Sequence, residues 1–117
     1  MSNIKNLLKK SVSIFARRLR EARLLAGLTQ EQLAIRAGID EFSASARMSQ
    51  YENGKHFPKY EIAQRLAVVL KVPVEYLYAV DDKTAKLLLC WNRLSRSGQK
   101  KALEYLEQMG SADEDVS

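Results

Sequence analysis

The chain has 117 residues, of which 46% are hydrophobic and 28% charged, and it carries a formal net charge of +5. This length accommodates one modest hydrophobic core, and the composition is typical of a globular protein. Apolar runs such as residues 87–91 are only five residues long, far below the ~20 that span a bilayer, which excludes a membrane protein. The N-terminus lacks the apolar block of a secretion signal, so we expect a cytoplasmic protein.

The positive charge is unevenly distributed. Residues 1–65 contain twelve Lys and Arg against six Asp and Glu, whereas residues 66–117 contain seven against eight. Excess positive charge on one half of a chain favours a polyanionic partner such as nucleic acid, although it is also compatible with a solvated surface.

Metal, redox and enzymatic functions find no support in the residue content. Cys90 is the single cysteine and His56 the single histidine, so neither an internal disulfide nor a zinc site is expected. Cys90 lies in an apolar run and is predicted to be buried. There is no glycine-rich phosphate loop, no paired His and Cys and no carboxylate cluster, so we expect no catalytic residues, no cofactor and no metal.

Helical periodicity begins with an amphipathic helix over residues 13–26, after a flexible segment, residues 1–12. Gly27 ends it. Thr29 and Gln32 form a capping-box pattern that predicts a second helix over residues 30–37, ended by Gly38.

A loop over residues 39–43 precedes a third predicted helix, residues 44–52, capped by Ser43 or Ser45 and ended by Asn53 and Gly54. Helices over residues 60–70 and 74–79 follow, and no segment has the alternation of a strand. Five helices by residue 80 predict an all-α domain over residues 13–80.

Two further helices are predicted after Val80, one from Asp81 and Asp82 to about Leu94 and one over residues 99–109. They form a C-terminal helical hairpin over residues 81–109, a possible dimerisation element. The acidic tail, residues 110–117, is predicted to be disordered.

Two stretches of the sequence resemble a known family: RLREARLLAGLTQEQLAIRAGI and SQYENGKHFPKYEIAQRLAVVLKVPVEYLY. Together they are similar to the Cro and phage-repressor (XRE) type of helix-turn-helix over residues 14–79. The resemblance implies a lambda-repressor-like five-helix domain that binds double-stranded DNA, as a homodimer on a two-fold operator, usually as a repressor. The chain departs from the family pattern by about four extra residues, 40–43, before the third helix.

The resemblance also implies roles for individual residues. The positions that match base-contacting residues are Ser45, Ala46 and Gln50, with Arg47 and Ser49 beside them. Gln can pair with adenine and Arg with guanine, at ~1–3 kcal/mol of discrimination each, though Arg47 is as suited to a phosphate. Phosphate contacts are expected from Arg20, Gln30, Asn53, Lys55 and Lys59, and Arg23 with Glu52 correspond to a structural ion pair.

Other residues have less specific interpretations. Met48 and Tyr51 are expected in the core, whereas His56 is expected on a loop, solvated or in contact with the DNA backbone. Phe42 either packs on the domain or is exposed. In the C-terminal hairpin, the apolar side chains form a dimer contact or cover the domain's own core (Leu88, Trp91, Leu94, Tyr105 and Leu106).

The same fold allows a second function. An antitoxin of a toxin–antitoxin pair, or another module that binds a protein partner, would have the same helices. The sequence itself does not separate these alternatives.

Overall fold

A computed structural model describes residues 2–116, with side chains described at residue 4 and over residues 14–115. Within this range the chain forms six α-helices and one 3₁₀ helix, with no strand: α1 (Ser2–Leu25), α2 (Gln30–Arg36), α3 (Ala44–Glu52), α4 (Tyr60–Leu70), the 3₁₀ helix (Val74–Tyr78), α5 (Asp82–Arg93) and α6 (Arg96–Val116). The all-α prediction is confirmed. In the part of the chain that is described, no helix combines the length and the apolar character needed to cross a membrane.

One hydrophobic core is shared by the helices α1, α2, α3 and α4 and by the 3₁₀ helix. Its largest fully buried side chains come from all five of these elements (Phe15, Leu19, Leu33, Met48, Leu66 and Leu77). Each such side chain stabilises the fold by about 1.5–3 kcal/mol relative to solvent exposure. The core therefore fixes α2 and α3 against a common support formed by α1 and α4.

A buried arginine, Arg18, joins α1 to the chain after the 3₁₀ helix. Its side chain is 4% exposed, and its Nε and Nη2 atoms donate hydrogen bonds to the Ala79 carbonyl at 3.0 and 2.8 Å. Nη2 also lies 3.0 Å from a carboxylate oxygen of Asp82, and the guanidinium stacks on Tyr76 at 5.7 Å. These contacts compensate the buried charge and hold the start of α5 on α1.

Both terminal helices extend beyond the bounds predicted for them. Helix α1 begins at Ser2 instead of residue 13; residue 1 lies outside the described residues. The apolar positions Ile4, Leu7, Leu8 and Val12 continue the spacing of α1, and neither glycine nor proline interrupts it. At the other end α6 continues to Val116, because glycine at position 110 costs a helix only about 1 kcal/mol. Residue 117 lies outside the described range.

The prediction that Cys90 is buried is wrong, because this side chain is exposed. Ala85 is the buried residue of α5, while Leu88 and Leu89 pack partly against the core. Position 90 is on another face of the helix, so the apolar run around it does not bury it.

Helices α5 and α6 confirm the two helices predicted after residue 80. Asp81 caps α5 by accepting a hydrogen bond from the Thr84 amide at 3.2 Å. Ser95 accepts one from the Gly98 amide at 3.0 Å, which lets α6 begin at Arg96 instead of residue 99. The Gln99 side chain donates to the Trp91 carbonyl at 3.0 Å and ties α6 to the end of α5.

Candidate nucleic-acid interface

Helices α2 and α3 are joined through a glycine turn. The predicted capping box of α2 is present: the Gln32 amide donates to the Thr29 hydroxyl at 3.0 Å, and the Thr29 amide donates to Gln32 Oε1 at 2.9 Å. At the other end Gly38 has φ +84°, and the Ile39 amide donates to the Ala34 carbonyl at 2.9 Å. A left-handed residue changes the direction of the chain after a helix. Gly38 and the hydrogen bond from Ile39 to Ala34 therefore direct the chain away from α2.

The extra residues 40–43 form a turn that leads directly into α3. The Ser43 amide donates to the Asp40 carbonyl at 3.1 Å, and the Ala44 amide donates to the Glu41 carbonyl at 3.5 Å. Ser43 occupies the predicted cap position, but its hydroxyl makes no capping bond and instead lies 3.4 Å from the Asp40 carbonyl. The turn thus extends α3 backward by one irregular turn.

Helix α3 has a buried face and an outward face. Ala44, Met48 and Tyr51 are buried, which confirms the expectation that Met48 and Tyr51 belong to the core. All five residues predicted to contact bases lie off this face: four are exposed and Gln50 is half-buried (Ser45, Ala46, Arg47, Ser49 and Gln50). Because the core holds one side of the helix, the other side is presented to solvent in a fixed orientation.

The Arg23–Glu52 ion pair fixes the end of α3 to α1. Arg23 Nε lies 2.6 Å from Glu52 Oε2 and Nη2 lies 2.9 Å from Oε1, with the two side chains 11% and 5% exposed. The third donor, Nη1, reaches the Leu28 carbonyl at 2.9 Å. The hydrogen bond with Glu52 raises the pKa of the Arg23 guanidinium above its ordinary value. This two-point geometry resists rotation of α3 about its own axis.

The loop after α3 places three of the residues predicted to contact phosphates. Gly54 has φ +78°, and the Lys55 amide donates both to the Gln50 carbonyl at 3.1 Å and to Asn53 Oδ1 at 3.0 Å. Asn53, Lys55 and Lys59 are exposed along this loop. The closed turn keeps the loop next to α3.

Phe57 anchors the same loop, a role that sequence reasoning missed. Its ring packs against Phe15 of α1 at 4.8 Å and against Tyr78 at 5.7 Å, centroid to centroid. The Tyr78 ring lies 5.2 Å from Phe15, and burial raises the pKa of its hydroxyl. The sequence signal that could have indicated this role is an aromatic residue directly before a proline, and the structure shows that Pro58 is buried.

A shallow groove between α3 and the loop brings together residues that the sequence assigned to different roles. Arg47 and Gln50 line it from α3, and His56 and Lys59 line it from the loop. The His56 amide donates to the Gln50 carbonyl at 3.3 Å, which holds the loop next to α3. The groove thus combines cationic and amide side chains, the residue types that contact phosphates and base edges in DNA-binding proteins. Two predicted phosphate contacts, Arg20 and Gln30, lie on α1 and α2 outside the groove.

A capped helix, a tight turn and a second helix held outward by its buried face define the helix-turn-helix class of DNA-binding fold. Residues 14–77 match the helix-turn-helix domain family model. The chain belongs to this family, and the sequence-based assignment to helix-turn-helix regulators is confirmed; the narrower phage-repressor type stays a prediction.

Two known proteins are similar to the chain. One is the Bacillus subtilis (strain 168) protein named uncharacterized HTH-type transcriptional regulator RghRB, 46% identical over 69 residues, which are 58% of this chain and 47% of that protein. The match thus spans about half the length of this relative. The other is the crystal structure of transcriptional regulator BswR, with a TM-score of 0.77 and 43% identity over 83% of this chain and 96% of that one.

Proposed function

We propose that this protein is a sequence-specific transcriptional repressor that inserts α3 into the major groove of double-stranded DNA. The observation that carries the proposal is the outward face of α3, where Arg47 and its neighbours are exposed and Gln50 is half-buried, while Ala44, Met48 and Tyr51 are buried. A helix fits the major groove, which is about 12 Å wide, and polar side chains on its outward face reach base edges. Similarity to proteins named as transcriptional regulators supports regulation as the outcome of binding, in the cytoplasm.

The residues have distinct roles in this proposal. Gln50, Arg47, Ser49, Ser45 and Ala46 contact bases. Residues around them contact phosphates and position the helix without selecting a sequence (Arg20, Gln30, Asn53, Lys55 and Lys59). The Arg23–Glu52 pair orients α3 and touches no DNA.

Fluorescence anisotropy across a salt series tests the proposal. The full chain is titrated with duplex DNA from upstream of its own gene and with a scrambled duplex. We expect at least ~10³-fold tighter binding to the upstream duplex. Arg47→Ala and Gln50→Ala should reduce that preference, whereas Lys55→Ala should weaken binding to both duplexes and lower the salt slope by about 1.

A matched control separates contact from net charge. Arg65→Ala on α4 removes the same charge as Arg47→Ala from another exposed position. If Arg65→Ala reduces the preference as much as Arg47→Ala, the assignment of α3 as the base-contacting helix is wrong. If neither duplex binds at any salt concentration, DNA is not the ligand and the protein-partner alternative gains support.

We further propose that two copies associate through α6. This helix has 21 residues, and none of its described side chains, residues 96–115, is buried. It carries exposed apolar side chains at helical spacing: Leu103, Leu106 and Met109 are 45–49% exposed, and Tyr105 is 64% exposed. Most of the stability of a helix in a protein comes from packing of its amphipathic face, so an unpacked apolar face favours a partner. Two copies would present two α3 helices to successive major grooves, as a two-fold operator requires.

Sedimentation equilibrium tests the association. We expect a dimer for the wild-type chain and a monomer for Leu106→Asp. Leu25→Asp is the control, because Leu25 is 84% exposed on α1, outside α6. A monomeric wild-type chain, or a dimer that survives Leu106→Asp and a second substitution at Leu103, contradicts association through α6.

A further inference from the structure

We propose that Phe42, in the turn before α3, is an additional specificity-determining residue that contacts the 5-methyl group of a thymine in the major groove. The inference rests on the proposed function and extends its contact surface. Phe42 is 99% exposed, the highest value among the exposed large hydrophobic residues of the described chain. Its neighbours in sequence, Asp40 and Glu41, are exposed as well.

Position 42 shares a helical sequence spacing with the outward face of α3. It precedes Ser45, Ala46 and Ser49 by three, four and seven residues, the spacings that align side chains along one side of a helix. The two hydrogen bonds of the turn, Ser43 to Asp40 and Ala44 to Glu41, hold position 42 in a tight turn directly before α3. The exposed ring therefore lies next to the N-terminal end of the residues proposed to contact bases.

The charges of the turn indicate which part of the DNA the ring approaches. Asp40 and Glu41 form no ion pair with any described side chain and would repel a phosphate, so the turn is unsuited to the DNA backbone. A ring without hydrogen-bonding groups has one specific partner in the major groove, the thymine methyl group. Carboxylates at the groove centre are compatible with DNA, because they accept a hydrogen bond from the cytosine amino group.

Atom-level substitution of the DNA tests the contact. A duplex is selected from a random-sequence library with the full wild-type chain, and each thymine is replaced in turn by deoxyuridine, which removes only the methyl group. We expect one thymine in each half-site at which the wild-type affinity falls about 4- to 10-fold. Phe42→Ala should bind the unmodified duplex about 10-fold more weakly and should be insensitive to deoxyuridine at that same position. Phe42→Leu, which keeps an apolar side chain, should retain the sensitivity.

Controls keep the result interpretable. Val68→Ala removes an exposed apolar side chain that is 77% exposed on α4, and it should leave every affinity unchanged. Equal thermal midpoints for wild type and Phe42→Ala show that folding is unaffected. If the wild type binds its selected duplex specifically but Phe42→Ala has the same affinities and the same deoxyuridine profile, the Phe42 contact is refuted and the proposed function stands. If the library yields no specific duplex, the proposed function itself fails.

Discussion

Replacing Glu52 by alanine removes one partner of the Arg23–Glu52 pair and leaves a charged guanidinium that is only 11% exposed. Deleting one partner of a buried ion pair costs about 3–5 kcal/mol, because the remaining charge is desolvated and uncompensated. The Leu28 carbonyl still accepts its hydrogen bond at 2.9 Å, so we expect a loss near the lower end, about 3 kcal/mol. At roughly 4 °C for each kcal/mol in a domain of this size, the Tm should fall by about 12 °C.

Deprotonation offers no relief from this cost. The hydrogen bond with Glu52 raises the pKa of Arg23, and an arginine without that bond is still charged at any pH at which proteins are assayed. The loss should therefore be the same at pH 6 and pH 8. Thermal and urea unfolding followed by circular dichroism at 222 nm measure it.

Two controls decide whether the burial of the charge is the cause. Glu31→Ala removes an exposed carboxylate from the first turn of α2 and should change stability by no more than about 0.5 kcal/mol. The double variant Arg23→Met with Glu52→Leu replaces the pair by apolar side chains and should recover most of the stability. A Glu52→Ala loss below about 1 kcal/mol, or a double variant as unstable as the single one, would refute this reasoning.

Three further predictions concern stability, each measured by the same unfolding experiments. Arg18→Ala leaves the Ala79 carbonyl without its two donors and should lower the free energy of unfolding by about 3 kcal/mol. Arg17→Ala, at a side chain that is 49% exposed, should lower it by less than about 1 kcal/mol. Equal losses would contradict the anchoring role of Arg18. Burial raises the pKa of Tyr76, so the folded chain holds the hydroxyl proton more tightly than the unfolded chain, and stability should fall as pH rises above about 10. Tyr76→Phe should reduce that fall. If the variant loses as much stability at alkaline pH as the wild type, Tyr76 is not its cause. Gly38→Ala should cost about 1–2 kcal/mol from the φ of +84° alone, because the nearest atom to an added Cβ is at an ordinary 3.7 Å; a neutral result would mean that the turn relaxes.

The helix-turn-helix unit was predictable because its signals are local. Thr29 and Gln32 lie three residues apart and cap each other, and Gly38 sits where a left-handed residue must end α2. Met48 and Tyr51 fall on the buried face through their spacing alone. The bounds predicted for α3 and α4 agree with the structure for the same reason.

Contacts between residues far apart in the chain were not predictable in this way. The sequence does not distinguish Arg18 from the other arginines of α1, but its side chain donates to a carbonyl 61 residues away. Phe57 gave no periodic signal because it lies on a loop, and its partners Phe15 and Tyr78 belong to other elements. Two helix ends were also missed: α1 begins before the predicted start at residue 13, and α6 continues past the predicted end at residue 109.

The division of α3 into two faces has a consequence for how such a protein can change. Substitutions at exposed positions away from caps and buried networks usually alter stability by less than about 0.5 kcal/mol. Ser45, Ala46 and Ser49 are such positions, whereas Met48 and Tyr51 hold the helix in place. New DNA preferences can therefore arise by mutation without a compensating change in the core, and a library randomised only at the outward positions should consist largely of folded proteins.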